Sequence, residues 1–162
     1  MTCLDKLEGF LRENHVPFQM QQHHRAFTAQ QVASSEHLPG QMMVKVVMAF
    51  ADDKLVMLAI PAVDRVNGAA VAASLGALEV RLADEREFTT VFTDCEAGAM
   101  PPFGNLYGVP VFVDRALAED AFIVFQAGTH TETISMEYDD FAWLVNPVVA
   151  DLTFRTYPVP VA

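Results

Sequence analysis

Apolar residues at Leu4, Leu7, Phe10 and Leu11 recur at the three-and-four spacing of one helix face, and the polar run "ENHVP" stops the pattern before Pro17. "FTAQQVA" predicts a second helix. Thr28 stands at its N-cap, Gln31 completes a capping box, and Pro39 ends it. From Val44 the period changes. "VKVVMAF" and "KLVMLAIP", separated by the short polar turn "ADD", predict an antiparallel hairpin. "NGAAVAASLG" predicts a short helix closed by Gly76, "LEVRLA" a strand, and Asp84 with Glu87 a capped helix through about Phe92.

After the Pro- and Gly-rich stretch from Glu96, "VPVFVD" and "AFIVFQAG" predict strands separated by a turn near Leu117 to Asp120. Thr131 to Ile134 predicts a further short strand. "SMEYDDFAWLVNP" predicts a helix with Ser135 as its N-cap and Phe141, Leu144 and Val145 as its buried face. The end, "TYPVPVA", is expected to be loosely attached. Strands in hairpin pairs interspersed with helices, without strict βαβ alternation, predict an α+β fold with a mixed sheet.

Composition narrows the function. A chain of 162 residues, 52% hydrophobic, suits one domain with a substantial core. A net charge of −11 excludes broad non-specific nucleic-acid binding, which needs many Lys and Arg contacts to phosphate, but leaves room for a narrow contact in a cleft. Cys3 and Cys95 predict neither a disulfide framework nor a metal pattern, which fits a reducing compartment. The acidic amphipathic start lacks a signal-peptide core, and no apolar stretch is long enough to span a membrane. These features predict a cytoplasmic domain.

The candidate chemistry is sparse. His23 and His24 are adjacent, so in a strand they point to opposite faces. His130 and Glu132 could share a face but have no third ligand at a recognisable spacing, so no metal site is expected. No G-x-S-x-G elbow is present, and Cys95 reads as an inert or partly buried thiol. Lys45 interrupts the apolar run "MMVKVVMAF". It either faces solvent through simple alternation or projects into a cleft. "GAMPPFG" is either a rigid connection or a backbone loop for an oxyanion or carbonyl, with Gly98 admitting a ligand close to the main chain. "AGTH", Ala127 to His130, is a second strand-end loop that is either a plain turn or a site wall.

Taken in order, "HHRAFTAQQVA", "LPGQMMVKVV", "AIPAVDRVN…LGALEVRLA", "GAMPPFG…VPVFVD" and "AGTHTETISMEYDDF" resemble the YbaK/ProX family of aminoacyl-tRNA deacylases, which includes the editing domain of bacterial prolyl-tRNA synthetases. The resemblance implies one domain over residues 1–154 with a tail at 155–162. Its fold would be α+β, with a mixed, largely antiparallel curved sheet flanked by helices. It implies a trans-editing hydrolase that cleaves the ester of mischarged aminoacyl-tRNA and needs no cofactor. Lys45 matches the family's strand lysine, Gly98 to Pro102 its G-x-x-x-P loop, and Gly128 to His130 the opposite wall. Lys45, Gly98 and His130 are then the expected catalytic residues. Thr28, Val46, Ala99, Met100, Pro101, Pro102, Gly128 and Thr129 would bind substrate. The implied partners are the acceptor end of tRNA and, as a candidate, an aminoacyl-tRNA synthetase, with neither DNA nor membrane. Val46 stands where many relatives carry Thr or Asn. Two other readings stay open: a non-catalytic module that binds a nucleotide or tRNA end, and a hydrolase of small esters or thioesters.

Overall fold

The chain begins with a capped helix, α1 (Cys3–Glu13), in which Thr2 and Asp5 bond each other's backbone amides at 3.1 Å. Its apolar stripe buries Cys3, Leu7 and Leu11. This computed structural model describes residues 1–23 and 42–154. The predicted helix at Thr28, the Thr28 contact, His24 and the tail at 155–162 lie outside the described residues.

The predicted hairpin forms as β2 (Val44–Ala51) and β3 (Lys54–Pro61), paired antiparallel from Val44↔Pro61 to Ala51↔Lys54. Asp52 turns it with φ 54°, and its carboxylate accepts from the amides of Leu78 and Glu79. That contact leads into β5 (Val80–Leu82), which pairs with the other edge of β2. β6 (Val111–Asp114) pairs parallel with β3, and β9 (Val148–Ala150) parallel with β6, giving a mixed five-stranded sheet in the order β5-β2-β3-β6-β9. β7 (Phe122–Gln126), β8 (Glu132–Glu137) and β1 (Gln19–Gln22) form an antiparallel three-stranded sheet, and β4 (Arg65–Val66) pairs with β10 (Thr153–Phe154).

Alternation assigns the faces of the larger sheet. Val44, Met48, Met57, Ala59, Val111 and Val113 enter the main core, which the smaller sheet closes with Ile123, Phe125, Ile134 and Met136. The opposite face carries Ala49, Val56, Leu58 and Ile60 into a second cluster with Val71 of α2 (Gly68–Leu75). Phe103 sits at the centre of the main core, its ring 5.5 Å from those of Phe125 and Phe141 and 6.3 Å from Phe10. Phe103→Ala is therefore expected to destabilise the protein by about 3–5 kcal/mol, read as a lower urea midpoint at unchanged slope.

Several expectations are corrected. α3 (Glu85–Thr89) keeps the Asp84–Glu87 capping box but stops short of Phe92. A four-residue helix, α4 (Arg115–Ala118), occupies part of the stretch expected to be a turn. Ser135 is no N-cap. It lies inside β8, opposite both Gln19 and Val124, and α5 (Tyr138–Val145) starts from Glu137 without a side-chain cap. Pairing on both edges of β8 satisfies more backbone groups than one cap would, so the strand runs on. β1, β4, β9 and β10 are too short or too polar to show a period.

The cysteine expectation is also overturned. Cys3 and Cys95 are joined by a disulfide across a separation of 92 residues, and no free cysteine remains. The argument for a reducing compartment from unpaired thiols therefore falls. Among the described residues, no helix is long and apolar enough to cross a membrane.

Candidate functional site

Two loops with left-handed glycines close on each other. Gly98 has φ 80° and Gly128 φ 93°, conformations that suit glycine because no Cβ crowds the carbonyl. Glu96 N–H donates to Gly128 O at 2.9 Å, and Gly128 N–H to Ala99 O at 2.9 Å. Ala99 N–H turns the first loop by donating to Glu96 O at 3.0 Å. The amide of exposed Gly98 has no acceptor among the described residues. Ala99, Met100, Pro101 and Pro102 are buried beneath it, Met100 within the main core. Gly98 is thus the solvent-facing residue of the motif, and the four that follow it support it from below.

His130 joins the loops. Its ring is buried, with Nε2 2.7 Å from Ala97 O and Nδ1 3.4 Å from the Gln126 amide nitrogen. A carbonyl can only accept, so Nε2 carries the proton there and the Nδ1 lone pair faces Gln126. Its backbone N–H donates to Glu96 Oε2 at 3.1 Å. A ring held in this way ties the two loops together. The space in which a Gly98 Cβ would sit is 3.6 Å from His130 Cε1, so the ring also walls the glycine. Thr129, half-buried, has its hydroxyl 3.4 Å from that of Thr131.

Strand register places Lys45 on the face opposite the main core. Met43, just before β2, forms a parallel bridge with Val124 of β7. Lys45 and Gln126 each lie two residues further on, so both side chains share the outer face of the sheet with Val124, and Val46 points the other way with the main core. Lys45 Nζ donates to Asp64 O at 2.8 Å. Burial lowers the Lys45 pKa, Asp64 partly offsets that, and Arg65 adds to the lowering. On the same outer face lies a cavity of about 380 Å³ lined by Gln19, Met20, Gln21, Val124, Thr133 and Ser135. His130 thus links Gln126 to the Gly98 loop, with a groove of amides and hydroxyls lined by Val124 and Thr133 nearby, and the Lys45 amine is held on Asp64 O. The loop offers a spare backbone amide, and the groove amides and hydroxyls, to a polar ligand.

Sequence reasoning singled out Lys45 and the glycines but missed Gln126, Glu96 and the groove residues. A polar residue ending the apolar run "FIVFQ" was the available signal for Gln126. Glu96 and the groove carry none.

The family model described as the aminoacyl-tRNA editing domain matches residues 23–144. No curated protein matches the sequence. Among solved structures, the hypothetical protein APE2540 superposes with a TM-score of 0.83 at 18% identity, over 92% of this chain and 99% of that one. A candidate trans-editing enzyme for prolyl tRNA synthetase superposes with a TM-score of 0.81 at 17% identity, over 96% of this chain and 99% of that one. At these identities the structural likeness speaks for the fold.

Proposed function

The chain belongs to the aminoacyl-tRNA editing domain family, and from that premise we propose that it is a trans-editing deacylase that hydrolyses the ester between a wrongly attached amino acid and the terminal adenosine of tRNA. The observation that supports this reading is the pair of interlocked loops, joined through His130, that leave the exposed Gly98 amide without an acceptor among the described residues. Water attacks the ester carbonyl carbon, and the bond to the ribose oxygen breaks. The ribose oxygen leaves with a proton that water supplies, giving free amino acid and uncharged tRNA. The Gly98 amide accommodates charge developing on the carbonyl oxygen, and the loop contacts hold it in place before reaction. Lys45 anchors a phosphate or the carbonyl as a compact cation. The adjacent groove suits the hydroxyls of the terminal ribose. An aminoacyl ester is already activated, and the neighbouring ribose hydroxyl can assist the water, so no strong protein base is needed.

A panel of mischarged tRNAs tests the reading directly. Release of amino acid from at least one supports it. Binding without release identifies a non-catalytic module, and turnover of small esters without tRNA identifies a different hydrolase.

Charge and ligand chemistry add an expectation. With a net charge of −11, contact is confined to the acceptor end, so affinity should fall only modestly with salt because few phosphates are neutralised. Deacylation should also survive a chelator, since His130 is committed to Ala97 and Gln126 and the cysteine pair is joined. Loss of activity in chelator with recovery in zinc would refute this mechanism.

A further inference from the structure

Beside the two loops, the disulfide is flanked by polar groups. Tyr107 Oη lies 3.3 Å from Cys95 Sγ and 3.4 Å from Cys3 Sγ, and it donates to Asp94 Oδ1 at 2.8 Å. Lys6 Nζ is 2.9 Å from Asp94 Oδ2 and 4.3 Å above the Tyr107 ring. Cys3, Asp94 and Cys95 could together face a cation, but the Lys6 ammonium already supplies that charge. Cys3 is buried and Cys95 half-buried, so Cys95 is the more open end of the pair.

The pair touches both loops. Cys95 immediately precedes Glu96, whose backbone and carboxylate hold Gly128 and His130. Cys3 lies directly under Gly128: a Cβ there would be 2.6 Å from Cys3 Sγ and 2.8 Å from Cys3 Cβ. Breaking the bond moves two sulfurs from bonding distance to van der Waals contact. Cys3 is packed against Gly128 and Tyr107 while Cys95 is half-buried, so the displacement falls on Cys95, the residue before Glu96.

We propose that Cys3–Cys95 is a reversible thiol–disulfide site whose oxidised form holds the Gly98 and Gly128 loops in register and whose reduced form loosens them. A small thiol or dithiol is the reductant and a small disulfide the oxidant. In reduction a thiolate attacks Cys95 Sγ and the S–S bond breaks. Cys3 leaves as a thiolate beside the Tyr107 hydroxyl and is then protonated from solvent. A second thiolate then attacks the sulfur of the bound reagent, the two reagent sulfurs depart joined as a disulfide, and Cys95 leaves as a thiolate that takes a proton from solvent, so two electrons and two protons end on the two cysteines. The link to activity rests on the deacylase reading, whereas the link to loop order does not.

The test compares the whole protein equilibrated with glutathione disulfide against the same protein in dithiothreitol. Alkylation read by mass spectrometry counts the thiols, hydrogen exchange follows the loops, and deacylation is assayed in parallel. Oxidised protein should block alkylation of both cysteines. Reduction should expose both, speed exchange at least three-fold in peptides covering 94–100 and 127–131, and lower deacylation about three- to ten-fold. Cys95→Ser, at a half-buried position, should behave as reduced protein in either reagent. Exchange that is identical in both states overturns the proposal, as do thiols that alkylate fully in the disulfide reagent. Reduced protein that takes up zinc with both thiols protected would also overturn it, in favour of a metal site. A redox response in exchange with no deacylation in either state supports the latch and removes only the deacylase reading.

Discussion

Lys45→Ala is expected to lower deacylation roughly 100-fold, equivalent to about 3 kcal/mol of lost transition-state interaction, while the protein stays folded. The fold should tolerate it because, among the described residues, the amine makes one bond, to Asp64 O, at a site where burial already disfavours the charge. pH separates function from stability here. The anchoring ammonium is lost as pH rises through the lowered Lys45 pKa, so activity should fall below the ordinary lysine value of 10.5. The unfolded chain holds that proton up to higher pH than the folded one does, so between the lowered value and 10.5 the Lys45 contribution to stability rises with pH. Activity and stability should therefore move in opposite directions across one window. Lys45→Ala should remove both effects. Full activity in that variant would take Lys45 out of the mechanism.

The second large effect is at Gly128. Gly128→Ala places a Cβ within 2.6 Å of Cys3 Sγ at a backbone φ of 93°, so steric overlap and left-handed strain add. Together these should destabilise the protein by about 3–5 kcal/mol, seen as a lower urea midpoint, and disturb the loop that holds Ala99. Gly98→Ala is the informative contrast. Its φ of 80° is unfavourable for alanine, but the added Cβ meets His130 Cε1 at an ordinary 3.6 Å. Stability should fall by about 1 kcal/mol and activity by much more, because the turn that presents the Gly98 amide is altered. Gly98→Val should exceed Met100→Leu in damage to activity, since β-branching restricts the backbone and a volume-conserving swap in the core is tolerated. Equal losses of stability at Gly98 and Gly128 would contradict the assignment of Gly98 as the exposed member of the pair.

What could be read from the chain beforehand follows the range of each interaction. α1, the β2–β3 hairpin, α2 with its Asn67 and Gly76 caps, and the Asp84–Glu87 box are local, and their residues are written within a few positions of one another. The family's motifs were likewise legible as short strings, because glycines at 98 and 128 and a lysine in an apolar strand stand out from their neighbours. β1 was hidden: "QMQQ" has no apolar period, and its strand state comes from pairing with β8.

By itself, the sequence determined the local elements, the two glycine loops and Lys45 as points of interest, since these depend on spacing and on backbone conformations that one residue type favours. The tertiary structure decided the rest. It set the side of the sheet on which Lys45 emerges, through a bridge between Met43 and Val124 that no spacing encodes. It set the His130 ring against Ala97 and Gln126, contacts that no spacing encodes. It also joined Cys3 to Cys95 across 92 residues, where α1 packs beneath Gly128 and its Cys3 amide and Lys6 bond Asp94.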